Sequence, residues 1–506
     1  MLDIEHNGNK VHISYFDSDG NNRLLSYTLS PNEQYDWAYA SQNDKNRIKG
    51  YLSWDGRPVK KREVKQTFSK FRLFEFLENL SDQDKEAIYA MNYPKMYFVD
   101  IEVGVSDEGF PHAEKAEQPV TTIALCNQKG HIFVLGLKPL NEDEISDIQK
   151  NINEHINNNS AGINKEWKLK YLYFENEKNM LYAFTHKFVK KMPCLTGWNF
   201  VEFDWQYLVN RCKKFDIDLA SEASPTNTWH GWRKQPNHRL VFDYMEVYQK
   251  WDKKIKVKES GSLDWVANAA LGINKVKYSG TLPELYEKDY KWYIFYNAID
   301  ACFVEMIDEK LNTFSTFLSL TNASKVPQLQ TFSSNYIAER LLFSEYYQQK
   351  RILLKDPNKK KEDVSAGYGG AYVKEPKLGI RHNIFSMDFT SMYPSIMLQY
   401  NIGVDTYLGK LETPDSTEFY NEQTGNWEEF NPEKHLLTAF LENDNSEKVL
   451  NNNSQYTGGA VFSKENNSTL SNFVGKLFDK RYSYKRGAGE IENEIQKLEK
   501  MLNDKS

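Results

Sequence analysis

The sequence has 506 residues, more than a single hydrophobic core accommodates, so roughly two to four domains are predicted. Apolar residues make up 40% and aromatic residues 14%, enough to bury substantial cores and to exclude a disordered chain. The 64 basic and 70 acidic residues give a net charge of −6, which runs against a nucleic-acid binder yet leaves room for a local basic groove beside an acidic metal site. No apolar run approaches the roughly 18 residues of a membrane-spanning helix, and "MLDIEHNGNK" lacks the basic head and apolar stretch of a signal peptide. Cys126, Cys194, Cys212 and Cys302 are far apart and form no CxxC pair, which suits a reducing cytoplasm.

In chain order, strand-like runs ("KVHISYF", "RLLSYTL") alternate with polar turns before a helical stretch, "RLFEFLENLSDQDKEAIYAM". "KMYFVDIEVGV" is a predicted strand carrying two acids. Strands ("TTIALCN", "HIFVLGL", "LVFDYMEVY") then alternate with helical segments as far as about residue 312, the pattern of a mixed α/β domain. "NINEHINNNSAGIN" and "ENDNSEKVLNNNSQYTGG" read as surface loops and "KDPNKKKEDVSAGYGG" as a linker. "KWDKKIKVK" reads as an exposed strand or as a lining for a single nucleic-acid strand, and "HGWRKQPNHR" as a hairpin. Beyond about residue 465 the chain is helical and rich in Lys, Arg and Glu.

Asp100 and Glu102 are two apart on a strand, so both side chains leave one face. Paired carboxylates repel unless a cation lies between them, although an edge pair facing solvent has the same pattern. In "TGWNFVEFDWQYLVNRC", Asp204 opens an amphipathic stretch, a place an ordinary N-cap also takes. In "YIFYNAIDACFVEMID", Tyr296 and Asp300 are spaced i, i+4 on a helical face, as a surface Tyr–Asp pair also would be.

Taken together, the order DxE, Nx3FD, Yx3D resembles the DEDD-type 3′–5′ exonucleases of the RNase H fold. The resemblance implies that Asp100, Glu102, Asp204 and Asp300 hold two divalent ions, Mg2+ with Mn2+ as a substitute, and that Tyr296 orients the attacking water.

A further motif is "SMDFTSMYPSIM", an apolar run of strand character that reaches Asp388, where a carboxylate in a core costs several kcal/mol unless paired or bound to metal. It resembles motif A of the family B DNA polymerases, and the residues around it resemble the T-even phage branch. The resemblance implies that Asp388 is one of two palm aspartates holding catalytic magnesium, with the Phe389 carbonyl as a further ligand. Ser391 and Met392 would present amides to a deoxynucleoside triphosphate, and Tyr393 would stack under its sugar. Upstream, Tyr368, Gly369 and Gly370 in "GYGGAYVKEP" match the element that contacts template DNA. Arg481 and Lys485, i, i+4 on a predicted helix, match the triphosphate-gripping pair of the first fingers helix. Ile491, Ile495, Leu498 and Leu502 form a stripe suited to a partner helix, and Gly487 and Gly489 interrupt the helical pattern at about 1 kcal/mol each.

The expected organisation is multidomain mixed α/β. An N-terminal domain spans 1–95 and returns at 313–360, around an RNase H-like exonuclease domain at 96–312. A partial palm follows at 361–460, then the first, helical part of the fingers at 461–506. The family's second palm aspartate, second fingers helix and thumb find no match, so a second polymerase chain is expected to supply them, with primer–template DNA and deoxynucleotides as the other partners and no membrane. Rival readings are a free-standing exonuclease with a non-catalytic polymerase remnant, and a module that only binds DNA or a partner.

Overall fold

The computed structural model describes residues 1–65, 67–104, 111–157, 163, 165–354, 378–380, 382–389, 391–442 and 456–503. The chain divides into two compact units, Met1–Gln34 with Val64–Arg340, and Tyr35–Glu63 with Leu341–Ser506. In chain order the strands begin with β1 (Asp3–Asn7), β2 (Lys10–Phe16) and β3 (Asn22–Thr28), then β4 (Tyr35–Tyr39), β5 (Arg47–Ser53) and β6 (Pro58–Glu63). They continue with β7 (Met96–Val103), β8 (Val120–Asn127), β9 (His131–Gly136), β10 (Lys168–Tyr173) and β11 (Cys194–Gly197). The short β12 (Trp229–His230) and β13 (Gln235–Pro236) form the expected hairpin, ahead of β14 (Leu240–Asp243) and, in the second unit, β15 (Arg351–Ile352).

The first unit is built on a six-stranded mixed sheet in the order β10-β9-β8-β7-β11-β14. β7, β8 and β9 are antiparallel neighbours, whereas β10, β11 and β14 each run parallel to the strand they join. Every residue of β8 but the last is buried, because helices cover both faces of the sheet. One face carries the helices Glu142–Asn157 and Tyr290–Leu311, and the other carries Gln206–Lys213. Phe98, wholly buried on the first face, contributes roughly 1.5–3 kcal/mol by its burial. Helix Tyr290–Leu311 starts at Asp289, whose carboxylate accepts the Trp292 amide, and stops at Asn312 in the left-handed region at φ 53°. The four cysteines are buried and unpaired.

In the second unit β4, β5, β6 and β15 make a sheet in the order β15-β5-β6-β4. The helices that matter most there are Met392–Gln399 and Thr469–Asn503. The latter is anchored at its start by Asp405, which accepts hydrogen bonds from the Thr469 amide at 2.8 Å and hydroxyl at 2.7 Å. It runs unbroken through Gly487 and Gly489, so the expected interruption is absent. Ile491, Ile495 and Leu498 are exposed on it.

Several local expectations give way to tertiary packing. "NINEHIN" continues the helix Glu142–Asn157 instead of forming a loop, because Ile152 and Ile156 reach the core. "LVFDYMEVY" is not one strand: Asp243 ends β14, accepts the Met245 amide and caps the helix Tyr244–Trp251. "KWDKKIKVK" contains no strand beyond Trp251, where the Asp252 carboxylate accepts the amides of Lys254 and Ile255. Asp204 lies within a π-helical turn, Val201–Trp205, and not at a helix start. Residues 443–455 of the Asn-rich loop and residues 355–370 of the linker lie outside the described residues. No helix among the described residues is long and apolar enough to cross a membrane.

Candidate active site

Strand alternation puts Asp100 and Glu102 on one face of β7, between the buried Val99, Ile101 and Val103. Helix Tyr290–Leu311 crosses that face and brings Asp300 to the pair. Ligand oxygens of Asp100, Glu102 and Asp300 all lie within 4.8 Å of one another. Asp204, the fourth expected ligand, is buried beside them: its Oδ1 accepts the Ile101 amide at 3.1 Å, and its charge and that of Asp100 act on each other. Tyr296, one turn before Asp300, lies near enough to favour its ionised form and meets Tyr278 edge-on at 5.3 Å.

Two groups complete the cluster. Lys275 Nζ donates to Asp300 Oδ2 at 2.5 Å, and Asn297 Nδ2 donates to Asp100 Oδ2 at 2.7 Å. Neither was expected from sequence. Lys275 sits in a loop, "INKVKYSG", with no local pattern to mark it, whereas Asn297 is a polar residue inside the apolar run "YIFYNAID", which is a usable signal.

Burial and then the charge of Asp300 push the Asp100 carboxyl up to about 7. Burial and then Asp100 raise Glu102 well above the carboxylate range, and the same two causes raise Asp204. Burial also raises Asp300, with Lys275 as the main opposing influence. Burial disfavours the Lys275 ammonium, but Asp300, Tyr296 and Asp100 outweigh it and hold the lysine charged.

These residues fit a hard divalent cation. The donors are all carboxylate oxygens, and Asp300 Oδ1 is buried with no hydrogen-bond partner, an arrangement that costs free energy unless a cation completes it. Among the described residues this is the one group of three or more His, Cys, Asp or Glu side chains so placed.

A pH effect follows, with a definite sign. Carboxyls raised in the folded, metal-free protein contribute stability that is complete below their ordinary value, 3.8 for Asp100, and lost as pH rises through about 7. The melting temperature in EDTA therefore falls as pH rises across about 5 to 8. Mg2+ binding strengthens over the same interval, because protons and ions compete for the same oxygens. Scanning calorimetry at matched pH with EDTA or Mg2+ checks both slopes; a flat difference between the two conditions contradicts the assignment.

In the second unit, Ser391 adopts a left-handed conformation at φ 51° and leads into the helix Met392–Gln399. Arg481 Nη1 donates to Ser391 Oγ at 3.0 Å, so these two expected nucleotide contacts meet. Lys485 lies one turn farther along the same helix and is exposed. Asp388, Phe389 and Tyr393 are exposed, and the run Ile384–Phe389 forms no strand. The expectation of a core strand carrying a buried Asp388 is thus corrected: no described strand pairs with the run, and an isolated strand does not hold itself in water. Tyr368, Gly369 and Gly370 lie outside the described residues.

Residues 34–266 match the model of the DNA polymerase family B exonuclease domain, and residues 329–506 match that of DNA polymerase family B itself. The chain belongs to DNA polymerase family B. Its relatives include the DNA-directed DNA polymerase of Escherichia phage RB69, 27% identical over 457 residues that make up 83% of this chain and 49% of that protein. The DNA-directed DNA polymerase of Enterobacteria phage T4 is 28% identical over 48% of this chain and 28% of its own length. DNA polymerase 1 of Sulfolobus acidocaldarius is 29% identical over 62% of this chain and 35% of its own. This family B chain spans about half the length of the phage RB69 relative. The acids of the cluster fall on both sides of the exonuclease match's end: Asp100, Glu102 and Asp204 within it, Asp300 beyond it.

Proposed function

We propose that this chain removes nucleotides from the 3′ end of DNA by divalent-metal-dependent hydrolysis and forms part of a polymerase for template-directed synthesis. The observation that carries the first activity is the convergence of Asp100, Glu102 and Asp300 around the orphaned Asp300 Oδ1, with Tyr296 one helical turn from that carboxylate. Asp100, Glu102 and Asp300, with Asp204 beside them, would hold two Mg2+ ions, for which Mn2+ would substitute. Bound there, the ions would activate water and neutralise the phosphodiester and the departing 3′ oxygen. Tyr296 orients the attacking water through its hydroxyl. Lys275, bonded to Asp300, opposes protonation of that carboxylate.

For synthesis, the reading rests on the family and on the Arg481–Ser391 contact at the start of the helix Met392–Gln399, where free amides and a guanidinium suit a triphosphate. Asp388 and the Phe389 carbonyl would hold the palm metals, Ser391, Met392, Arg481 and Lys485 the triphosphate, and Tyr393 the sugar. Tyr368, Gly369 and Gly370 would touch the template. The second palm aspartate, the second fingers helix and the thumb must come from elsewhere, on a second chain or on a continuation of this one.

Single-stranded DNA labelled at either end tests the first activity. With Mg2+, a 5′ label gives a descending ladder and a 3′ label is released at once as a mononucleotide, and EDTA stops both. Internal cleavage, or digestion from the 5′ end, contradicts it.

A further inference from the structure

The pairing of β7 with β8 carries an irregularity beside the acidic cluster. Glu102 faces Thr122 and Val103 faces Val120, so Thr121 is an extra residue, a β-bulge. Side chains of a regular strand alternate between faces, but a bulge re-aims one of them. Here two consecutive hydroxyls turn toward the same helix, Tyr290–Leu311. Thr121 Oγ1 lies 2.6 Å from the Tyr293 hydroxyl and donates to the Glu102 carbonyl at 2.9 Å. Thr122 Oγ1 donates to Asn297 Oδ1 at 3.0 Å.

Tyr293 and Asn297 are four apart, one helical turn, and continue toward Asp300 on the same side of the helix. Asn297 then reaches back to β7, donating to Asp100 Oδ2 at 2.7 Å and to the Asp100 carbonyl at 3.3 Å. The carbonyl can only accept, so the amide nitrogen faces Asp100 and its oxygen must face Thr122. Thr122 and Asn297 are both 0% exposed, so bulk solvent does not reach the bond between them.

We propose that the bulged Thr121–Thr122 pair is a register clamp, holding the acids of the helix against those of β7, with Asn297 as the positioning residue for Asp100. It deepens the exonuclease reading above and rests on it. The clamp fixes the helix at two points one turn apart, which sets both its rotation and its slide along β7. Asp300 and Tyr296 are then delivered to Asp100 and Glu102 without either threonine touching a carboxylate side chain.

The test is Mn2+ binding by the full chain, followed by titration calorimetry and paired with melting curves in EDTA. Thr122→Val keeps the shape and removes the hydroxyl, Thr122→Ser keeps the hydroxyl, and Asn297→Ala removes the positioning amide. Thr122→Val and Asn297→Ala are expected to weaken Mn2+ binding about 10- to 100-fold while the protein stays folded, and Thr122→Ser to bind as wild type does. If Asn297→Ala does not fold, Thr122→Val alone carries the test. Wild-type Mn2+ affinity in Thr122→Val overturns the clamp, as does equal weakening in Thr122→Ser, since packing and not the hydroxyl would then matter. Asp100→Asn separates the two levels: if it leaves Mn2+ binding unchanged, the metal-site reading itself falls, and the clamp with it.

Discussion

Replacing Asp100 by Asn together with Glu102 by Gln is expected to abolish 3′ digestion, by at least about 10³-fold in rate, because several kcal/mol of transition-state charge stabilisation goes with the ligands. The double variant keeps side-chain volume, and the new amide oxygen at position 100 still accepts the Asn297 hydrogen bond. Stability should move the other way. In the metal-free protein these half-buried carboxyls lie among like charges, with Lys275 as the cation bonded to Asp300 in their midst. Neutral amides remove that repulsion, so the variant should melt no lower than the wild type in EDTA and should gain less from Mg2+. Single-turnover quench measurements on a 5′-labelled strand, with calorimetry on the same samples, check both halves. A variant that digests normally would place the chemistry elsewhere.

Asp388→Ala should do the reverse: primer extension by the assembled polymerase is lost by about 10³-fold or more, while digestion of single-stranded DNA is unchanged. The two sites belong to different compact units, with Asp388 in Leu341–Ser506 and the acidic cluster in Val64–Arg340, so each is expected to fail independently. Asp388 is exposed, so its removal should not disturb a core. Extension and digestion are read from the same gel, with a polymerase that includes the second palm aspartate, whether on a second chain or on a continuation of this one. Persistent extension would favour the rivals, a free-standing exonuclease or a binding module, in which Asp388 has no part in synthesis.

The acids of the cluster were legible because each motif is local and carries its own geometry. A two-residue spacing on a strand and a four-residue spacing on a helix each fix a shared face before any tertiary contact forms. What joins the motifs was not legible. Lys275 reaches Asp300 from a loop 25 residues away, and Thr122 reaches Asn297 across 175 residues, through a bulge that no strand pattern announces. Asp204 was legible as an acid but not as part of a π-helical turn, which depends on how Trp205 and Val201 pack into the sheet's second face.

Apolar runs misled where pairing decides. "NIFSMDF" has the composition of a strand, yet the described residues provide no neighbour for it. "LVFDYMEVY" is mostly apolar, yet Asp243 caps a helix midway, a signal that capping chemistry would have supplied. The continuous helix through Gly487 and Gly489 shows the opposite: about 1 kcal/mol per glycine does not break a helix of 35 residues.

The most direct test of the acidic cluster as a metal-dependent nuclease centre is anomalous scattering from crystals soaked in Mn2+. The account predicts anomalous density between Asp100, Glu102 and Asp300, with Asp300 Oδ1 among the coordinating atoms. Clear Mn2+ density elsewhere with none at these three carboxylates, and Asp300 Oδ1 still without a partner, would contradict it.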